Sequence, residues 1–376
     1  EDMTMTTVFE KHGMSTMRCP DCEQVDPLVF DTTRLWFHVP TQDSFDKLTN
    51  LCDRKGIQME KLDDRCISLT LSGSECNAFV VALYGNMTQH ELKNVRVLTT
   101  DGKDPGALDI GRVVNGDVFV NRIKGSWIIE KVCDGQVETW YQPIYDFQDL
   151  DTPFGMEALL RMRDQNGAII PADYVFRVAG DADVLFSIDL IARATAVETA
   201  AKAGYLGKIF VNFNPSSVYD PAYCLRTTAA AINDLGLKPS DIVFEITETE
   251  RITDIDHLKG ILNFYRRAGF MCALDDIGSG WSGLNLLHTF NPDFVKLDME
   301  LIRDIDTDMF KQSIVRNLIN IAKDQGIKVI AEGIETQGEA DFLKKTGADL
   351  AQGYLYSRPA PVATHQDKAP DWFRAA

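Results

Sequence analysis

Residues 272–283 read CALDDIGSGWSG: an apolar run closes on two adjacent aspartates, Asp275 and Asp276, and a loop with three glycines follows at once. A short apolar run bounded by turn residues is the pattern of a buried strand. Two like charges therefore stand where a strand gives way to a loop. Outward from this stretch the pattern repeats. IFVNF carries Asn212, IVFEIT carries Glu245, DFVKLD carries Lys296, VIAEG leads into Glu332 and DLAQG adds Gln352. Long helical patterns lie between such runs, for example residues 184–204 and 257–270, the latter closing on Gly269 just past Arg266 and Arg267, a helix stop. Strand and helix in regular alternation predict a parallel sheet with crossover helices, hence an α/β domain. In a parallel barrel the strands all point one way, so the residues at their C-terminal ends ring a single mouth, where such barrels place their chemistry.

Several carboxylates gathered at one mouth repel one another, and the relief is a raised pKa or a bound cation. Oxygen ligands without His or Cys favour a hard ion, Mg²⁺ or Mn²⁺, over zinc. Adjacent aspartates suit two ions, one side chain shared by both and the other serving the second, and paired metals are a recurring device for phosphodiester hydrolysis. Taken singly, a DD pair before a glycine loop is an ordinary solvated turn and a strand-end Glu an ordinary helix cap. Six such positions at one structural level argue for a site.

The chain is 376 residues, 45% hydrophobic and 25% charged, a globular composition with room for more than one domain. Its formal net charge is -18 and it has no Lys/Arg stripe, which argues against DNA or RNA as the main ligand. No apolar run approaches the ~20 residues of a membrane span, and the opening EDMTMTTVFEKHG lacks signal-peptide character. The expectation is a soluble, cytoplasmic protein, and eight cysteines without a secretory signal point to a reducing compartment. The texture changes near residue 125, so the expected domains are 1–120, 121–362 and a tail at 363–376.

With FGMEALLRM at residues 154–162, VNFNP, FEITETE, LDDIGSG, FVKLD, IAEGIE and AQGY in order, the chain from about 125 to 362 resembles an EAL domain, the phosphodiesterase class that linearises cyclic di-GMP. The resemblance implies a modified TIM (β/α)8-like barrel with one antiparallel strand, here preceded by a smaller α+β domain. It implies a first metal held by Glu157, Asn212 and Glu245, with Asp275 shared by both metals and Asp276 serving the second. Lys296 and Gln352 match the pair that positions the attacking water, and Glu332 matches a general base or second-site ligand. Gln142 in YQPIY and Arg161 match contacts to the dinucleotide, although Arg161 would equally suit an acidic neighbour. Glu248 matches the anchor of the glycine loop containing Gly278 and Gly280, and Glu335 a support residue beside the second metal. Two Mg²⁺ or Mn²⁺ ions, cyclic di-GMP as ligand and a homodimer through the EAL domain follow from the same resemblance.

Three loop positions depart from the family: Ile277, Ser279 and Trp281 replace Phe, Thr and Tyr. Met162 stands where an aromatic is common, which predicts looser contact with a guanine base. No metal ligand is missing, which favours a working phosphodiesterase over the alternative, a cyclic di-GMP receptor that binds without hydrolysis. The first 120 residues match no sensor or cyclase signature, and a regulatory or dimerising role is expected of them from context. In MRCPDCE, Cys19 and Cys22 have the spacing of a zinc knuckle, but a structural Zn²⁺ needs two further ligands, and free thiols in a turn are the simpler reading. Cys133, Cys224 and Cys272, and the aromatic stretch Trp36, Phe37 and His38, read as core.

Overall fold

The computed structural model describes residues 28–214, 232, 235–247, 255–278 and 283–368. Cys19, Cys22, Cys224, Glu248, Ser279, Gly280 and Trp281 lie outside the described residues. The described residues divide into two compact units, one built from 28–135 with Asp173–Ile188, the other from those within Gln136–Ala172 and 189–368. Among the described residues no helix is long and apolar enough to cross a membrane.

The first unit is α+β. Strand β1 (Thr32–His38), helix α1 (Gln42–Lys55), β2 (Met59–Lys61), β3 (Cys66–Ser72), α2 (Gly73–Asn86), α3 (Gln89–Asn94), β4 (Arg96–Asp101) and β5 (Val114–Asn115) are followed by α4 (Gly116–Lys124) and α5 (Ser126–Cys133). The sheet order β2-β3-β1-β4-β5, antiparallel throughout, is a split βαβ arrangement with one added edge strand. Local chemistry sets its helix ends. Thr41 accepts from the Ser44 N–H at the start of α1, and Gly56 closes that helix with φ 67°. Side chains alternate across β1, so Leu35 and Phe37 enter the core while Trp36 is half-buried and His38 exposed. The expectation that all three of Trp36, Phe37 and His38 are core therefore holds for Phe37 alone. Cys133 and Cys272 are buried, as core fillers should be.

The second unit contains a closed eight-stranded barrel. Its strands are β6 (Glu138–Asp146), β7 (Asp149–Arg163), β9 (Lys208–Asn212), β10 (Ile242–Thr247), β11 (Met271–Ile277), β12 (Phe294–Leu297), β13 (Lys328–Ala331) and β14 (Leu350–Ala351). The order β6-β14-β13-β12-β11-β10-β9-β7 closes through the β6–β7 pair. Six pairings are parallel, and β6 runs antiparallel to both β14 and β7. This is the modified TIM-like barrel with one reversed strand. Short β8 (Ile169–Ile170) extends from β7 and β15 (Ala360–Pro361) from β6. The helices of this region are α6 (Ala172–Asp181), α7 (Leu185–Lys202), α8 (Ile255–Arg267), α9 (Gly283–Phe290), α10 (Met299–Ile302), α11 (Met309–Asp324), α12 (Gln337–Thr346) and α13 (Val362–Lys368). Residues Asp173–Ile188, which carry α6, pack with the first unit.

One apolar layer closes the barrel interior. Ile144, Phe210, Val243, Ala273, Phe294, Ile330 and Leu350, one from each of seven strands, form a single buried cluster. On the eighth strand the matching position is Gly155, where a Cβ would lie 2.9 Å from the Phe210 ring and 3.0 Å from the Lys208 carbonyl. The glycine thus leaves room for Phe210. Strand side chains repeat on one face every two residues, and on each strand the residue two places nearer the mouth is polar: Asn212, Glu245, Asp275, Lys296, Glu332, Gln352, Glu157 and, in the reversed β6, Gln142. An apolar floor therefore supports a complete polar ring.

Phe294 centres this floor, with its ring 5.3 Å from Phe210 and 5.7 Å from Phe154. Phe294→Ala should cost about 3–5 kcal/mol, the range for removing a buried aromatic, measured as a lower midpoint in urea unfolding.

Candidate active site

The ring is built around Lys296, which is 1% exposed. Its Nζ lies 2.7 Å from Glu332, 2.9 Å from Glu245, 3.1 Å from Asp275 and 3.5 Å from Glu157. Burial alone would favour the neutral amine, but Asp275, Glu157, Glu245 and Glu332 outweigh it and hold the Lys296 pKa well above the usual lysine value. The side chain is thus a fixed cation. Burial pushes Glu245 well above the carboxylate range, with Lys296 opposing and Glu157 and Asp275 reinforcing. Glu332 is also raised by burial, against Lys296 and with Asp275 and Glu157.

Asp276 reaches the same site through a local irregularity. Adjacent residues of a regular strand point to opposite faces, which would send Asp275 and Asp276 apart. The register of β11 against β12 shifts between Leu274 and Ile277, and Asp276 has φ 57°. A bulge with a left-handed residue re-aims the side chain, and aspartate tolerates that conformation better than most residues. The Asp276 N–H donates to Asp275 Oδ1 at 2.9 Å, tying the two together. Burial, then the charge of Asp275, lifts the Asp276 carboxyl to about 6. Gly278 follows with φ 108°, and a side chain there would collide with Leu301.

Two carboxylate groups overlap on one residue. Glu157, Glu245 and Asp275 present oxygens within 4.8 Å of one another, and so do Asp275, Asp276 and Glu332. Asp275 is common to both. Among the described residues Lys296 is the one group offered to the buried Glu245 carboxylate, 2.9 Å from Oε1, and the buried Gln352 Oε1 has no donor. A buried acceptor without a donor is costly, and a hard cation is the group that satisfies such oxygens. The donor set, carboxylate oxygens with an amide beside them, fits a divalent metal ion. Asn212 lies beside them at the end of β9, in register with Glu245.

Glutamines brace the near side of the ring. Gln352 Nε2 donates to Glu157 Oε2 at 2.6 Å and to Gln142 Oε1 at 3.2 Å, and Gln142 Nε2 donates to the Ser357 carbonyl at 3.2 Å. Arg161, four residues beyond Glu157 on β7, is half-buried. It donates to the Leu160 carbonyl and lies 5.6 Å over the Trp140 ring. Glu335 pairs with Arg303 at 2.8 Å at the edge of the ring. Met162 is fully buried, so its side chain is core and does not face a base. Sequence reasoning passed over two buried groups. Asp189 and Arg193 form a buried pair at 3.3 Å on α7, placed one turn apart with no motif to mark them. Glu339 was legible as a capping box with Thr336, though not as part of this site.

Comparison with known proteins matches this geometry to a family. The EAL domain model matches residues 128–359, and the chain belongs to the EAL-domain family. It is 28% identical over 253 residues to the cyclic di-GMP phosphodiesterase PdeL of Escherichia coli, covering 66% of this chain and 70% of that protein. An uncharacterized protein of Sinorhizobium fredii is 31% identical over 235 residues, 62% of this chain; the chain spans 28% of that relative's length. Among solved structures, a standalone EAL protein from Vibrio cholerae in its c-di-GMP-bound form shares 38% identity with a TM-score of 0.54, covering 60% of this chain and 92% of that one.

The raised Asp276 carboxyl gives a signed expectation for the metal-free protein. The folded state keeps this proton to about 6 while the unfolded chain releases it near 3.8, so the group's contribution to stability falls as pH rises between those values. A divalent ion must displace the same proton and binds better above that window. Thermal melting with and without excess Mn²⁺ should show a larger metal-induced rise at pH 7.5 than at pH 5.

Proposed function

We propose that this chain hydrolyses one phosphodiester of cyclic di-GMP to linear pGpG, using two divalent ions, Mg²⁺ or Mn²⁺. The observation that carries the reading is the pair of carboxylate groups sharing Asp275, closed around the Lys296 ammonium. Glu157, Asn212, Glu245 and Asp275 would hold one ion, and Asp275, Asp276 and Glu332 the other. Such ions, when bound, acidify water and stabilise the charge that develops on the phosphoryl oxygens.

The chain's own groups divide the remaining work. Lys296, held protonated by its neighbours, serves as a hydrogen-bond donor that orients the attacking water rather than as a base. Glu332, 2.7 Å from that ammonium, is the carboxylate that would take the water's proton if it is not spent as a ligand of the second ion. The water oxygen bonds to phosphorus as the P–O3′ bond breaks, and the leaving 3′ oxygen takes up a proton. Gln352 aligns Glu157 and, through its unpartnered Oε1, is suited to hold water. Arg161, at the mouth end of β7, offers a fork for a phosphate oxygen pair. A homodimer through the EAL domain belongs to the same proposal. We propose further that the first unit regulates the barrel and that the chain works in the cytoplasm.

Purified protein incubated with cyclic di-GMP and Mg²⁺ or Mn²⁺ should yield pGpG by chromatography, and chelator should abolish it. Folded protein that binds the dinucleotide yet forms no product would overturn the hydrolase reading in favour of a receptor. Glu157→Ala should abolish turnover by removing a direct ligand. Lys296→Ala should lower kcat far more than it raises KM. Ca²⁺ in place of Mg²⁺ should inhibit, since its larger radius and looser coordination spoil an in-line geometry.

A further inference from the structure

Glu339 lies on helix α12, outside the polar ring, and is 1% exposed. In an ordinary capping box the N3 carboxylate serves its own helix. Here only one oxygen does so: Oε2 accepts from the N–H groups of Glu335 at 2.8 Å and Thr336 at 3.0 Å, while Thr336 Oγ1 accepts from the Glu339 N–H at 3.2 Å. The other oxygen crosses to a different loop. Oε1 accepts from the N–H of Asp304 at 3.0 Å, 35 residues earlier in the chain.

The two loops are those that leave the strands of Lys296 and Glu332. Asp304, with φ 58°, lies in the connection after β12, and Glu335 and Thr336 lie in the connection after β13. The loops also meet elsewhere: a side chain at Gly333 would collide with Met299, and Arg303 pairs with Glu335 at 2.8 Å. Burial opposes the charge on Glu339, but the backbone donors of Glu335, Asp304 and Thr336, with Arg303 nearby, keep its pKa below the usual value. It is a buried, ionised carboxylate that joins two active-site loops and touches no ring residue's side chain.

We propose that Glu339 is a positioning residue that locks the loop after β12 to the loop after β13, and so sets the 2.7 Å contact between Lys296 and Glu332. In its catalytic consequence this rests on the hydrolase reading above. A rigid link at this point acts on the orientation of the attacking water, and misplacement of that order lowers turnover more than binding.

The test compares Glu339→Ala, Glu339→Gln and Thr336→Ala in the full chain. Thr336→Ala removes the other half of the capping box and leaves the crossing bond to Asp304. Expected values of kcat fall in a graded series: Glu339→Gln, with one acceptor oxygen in place of two, about 3- to 10-fold below wild type, and Glu339→Ala about 10- to 100-fold below, with KM within about threefold for both. Thr336→Ala should melt earlier with kcat within twofold. Glu339→Gln at wild-type kcat, or Thr336→Ala losing as much kcat as Glu339→Ala, would overturn the proposal and leave a helix cap. If Glu339→Ala does not fold, Glu339→Gln decides alone. Amide hydrogen exchange gives a readout independent of turnover: residues 298–308 should exchange faster in Glu339→Gln and unchanged in Thr336→Ala, and equal exchange in both would overturn the link. Wild type that yields no pGpG would sink the hydrolase reading, while the exchange result would still decide whether Glu339 joins the loops.

Discussion

A single buried ammonium set against five carboxylates is the constraint on which the rest of this barrel depends. Lys296 contacts four of them within 3.5 Å, and Asp276 stands one residue beyond. Removing such charges from water costs several kcal/mol each unless they are paired, and one lysine cannot neutralise five acids. Burial first, and then the repulsion among the acids, raises the pKa values of Glu245, Glu332 and Asp276. A site in that condition binds cations readily, because each ion relieves repulsion already built into the fold.

The scaffold tolerates this because the polar ring rests on a well-packed apolar floor. Phe210, Phe294 and Phe154 interlock beneath it, and Gly155 yields its Cβ volume to Phe210. The two-residue spacing between floor and ring follows from the pleat of every strand, including the reversed β6, where Gln142 precedes Ile144 rather than following its partner. Asp276 is the single departure from that rule. A bulge and a left-handed backbone bring it to the face where Asp275 already points, a strain of the kind that accumulates at functional sites.

Stability and chemistry draw on the same loops. Glu332 N–H donates to the Leu297 carbonyl, Ile334 N–H to the Gln352 carbonyl, and Glu339 accepts from both neighbouring connections. The strand ends that carry Lys296, Glu332 and Gln352 are thereby joined outside the ring as well as within it. These bonds add to the mutual attraction of the charged groups, which changes whenever an ion or substrate enters.

Much of this was legible in the sequence alone. Alternating strand and helix patterns, and polar residues closing apolar runs at Asn212, Glu245, Asp275, Lys296, Glu332 and Gln352, are local signals governed by backbone periodicity and burial, so they determined an α/β domain with one level of polar strand ends, while the reversed strand and the places of Glu157 and Gln142 were implied by the resemblance to EAL domains. The tertiary structure decided what depends on distances between residues far apart in the chain. That Lys296 meets four acids, that Asp276 turns to join Asp275, that Met162 is core and His38 is exposed, and that Glu339 reaches Asp304 all follow from strand register, a bulge and the packing of separate loops. No short stretch of sequence encodes these, because pairwise electrostatics and hydrogen bonding fall away within a few ångströms and only the closed barrel brings the groups that near.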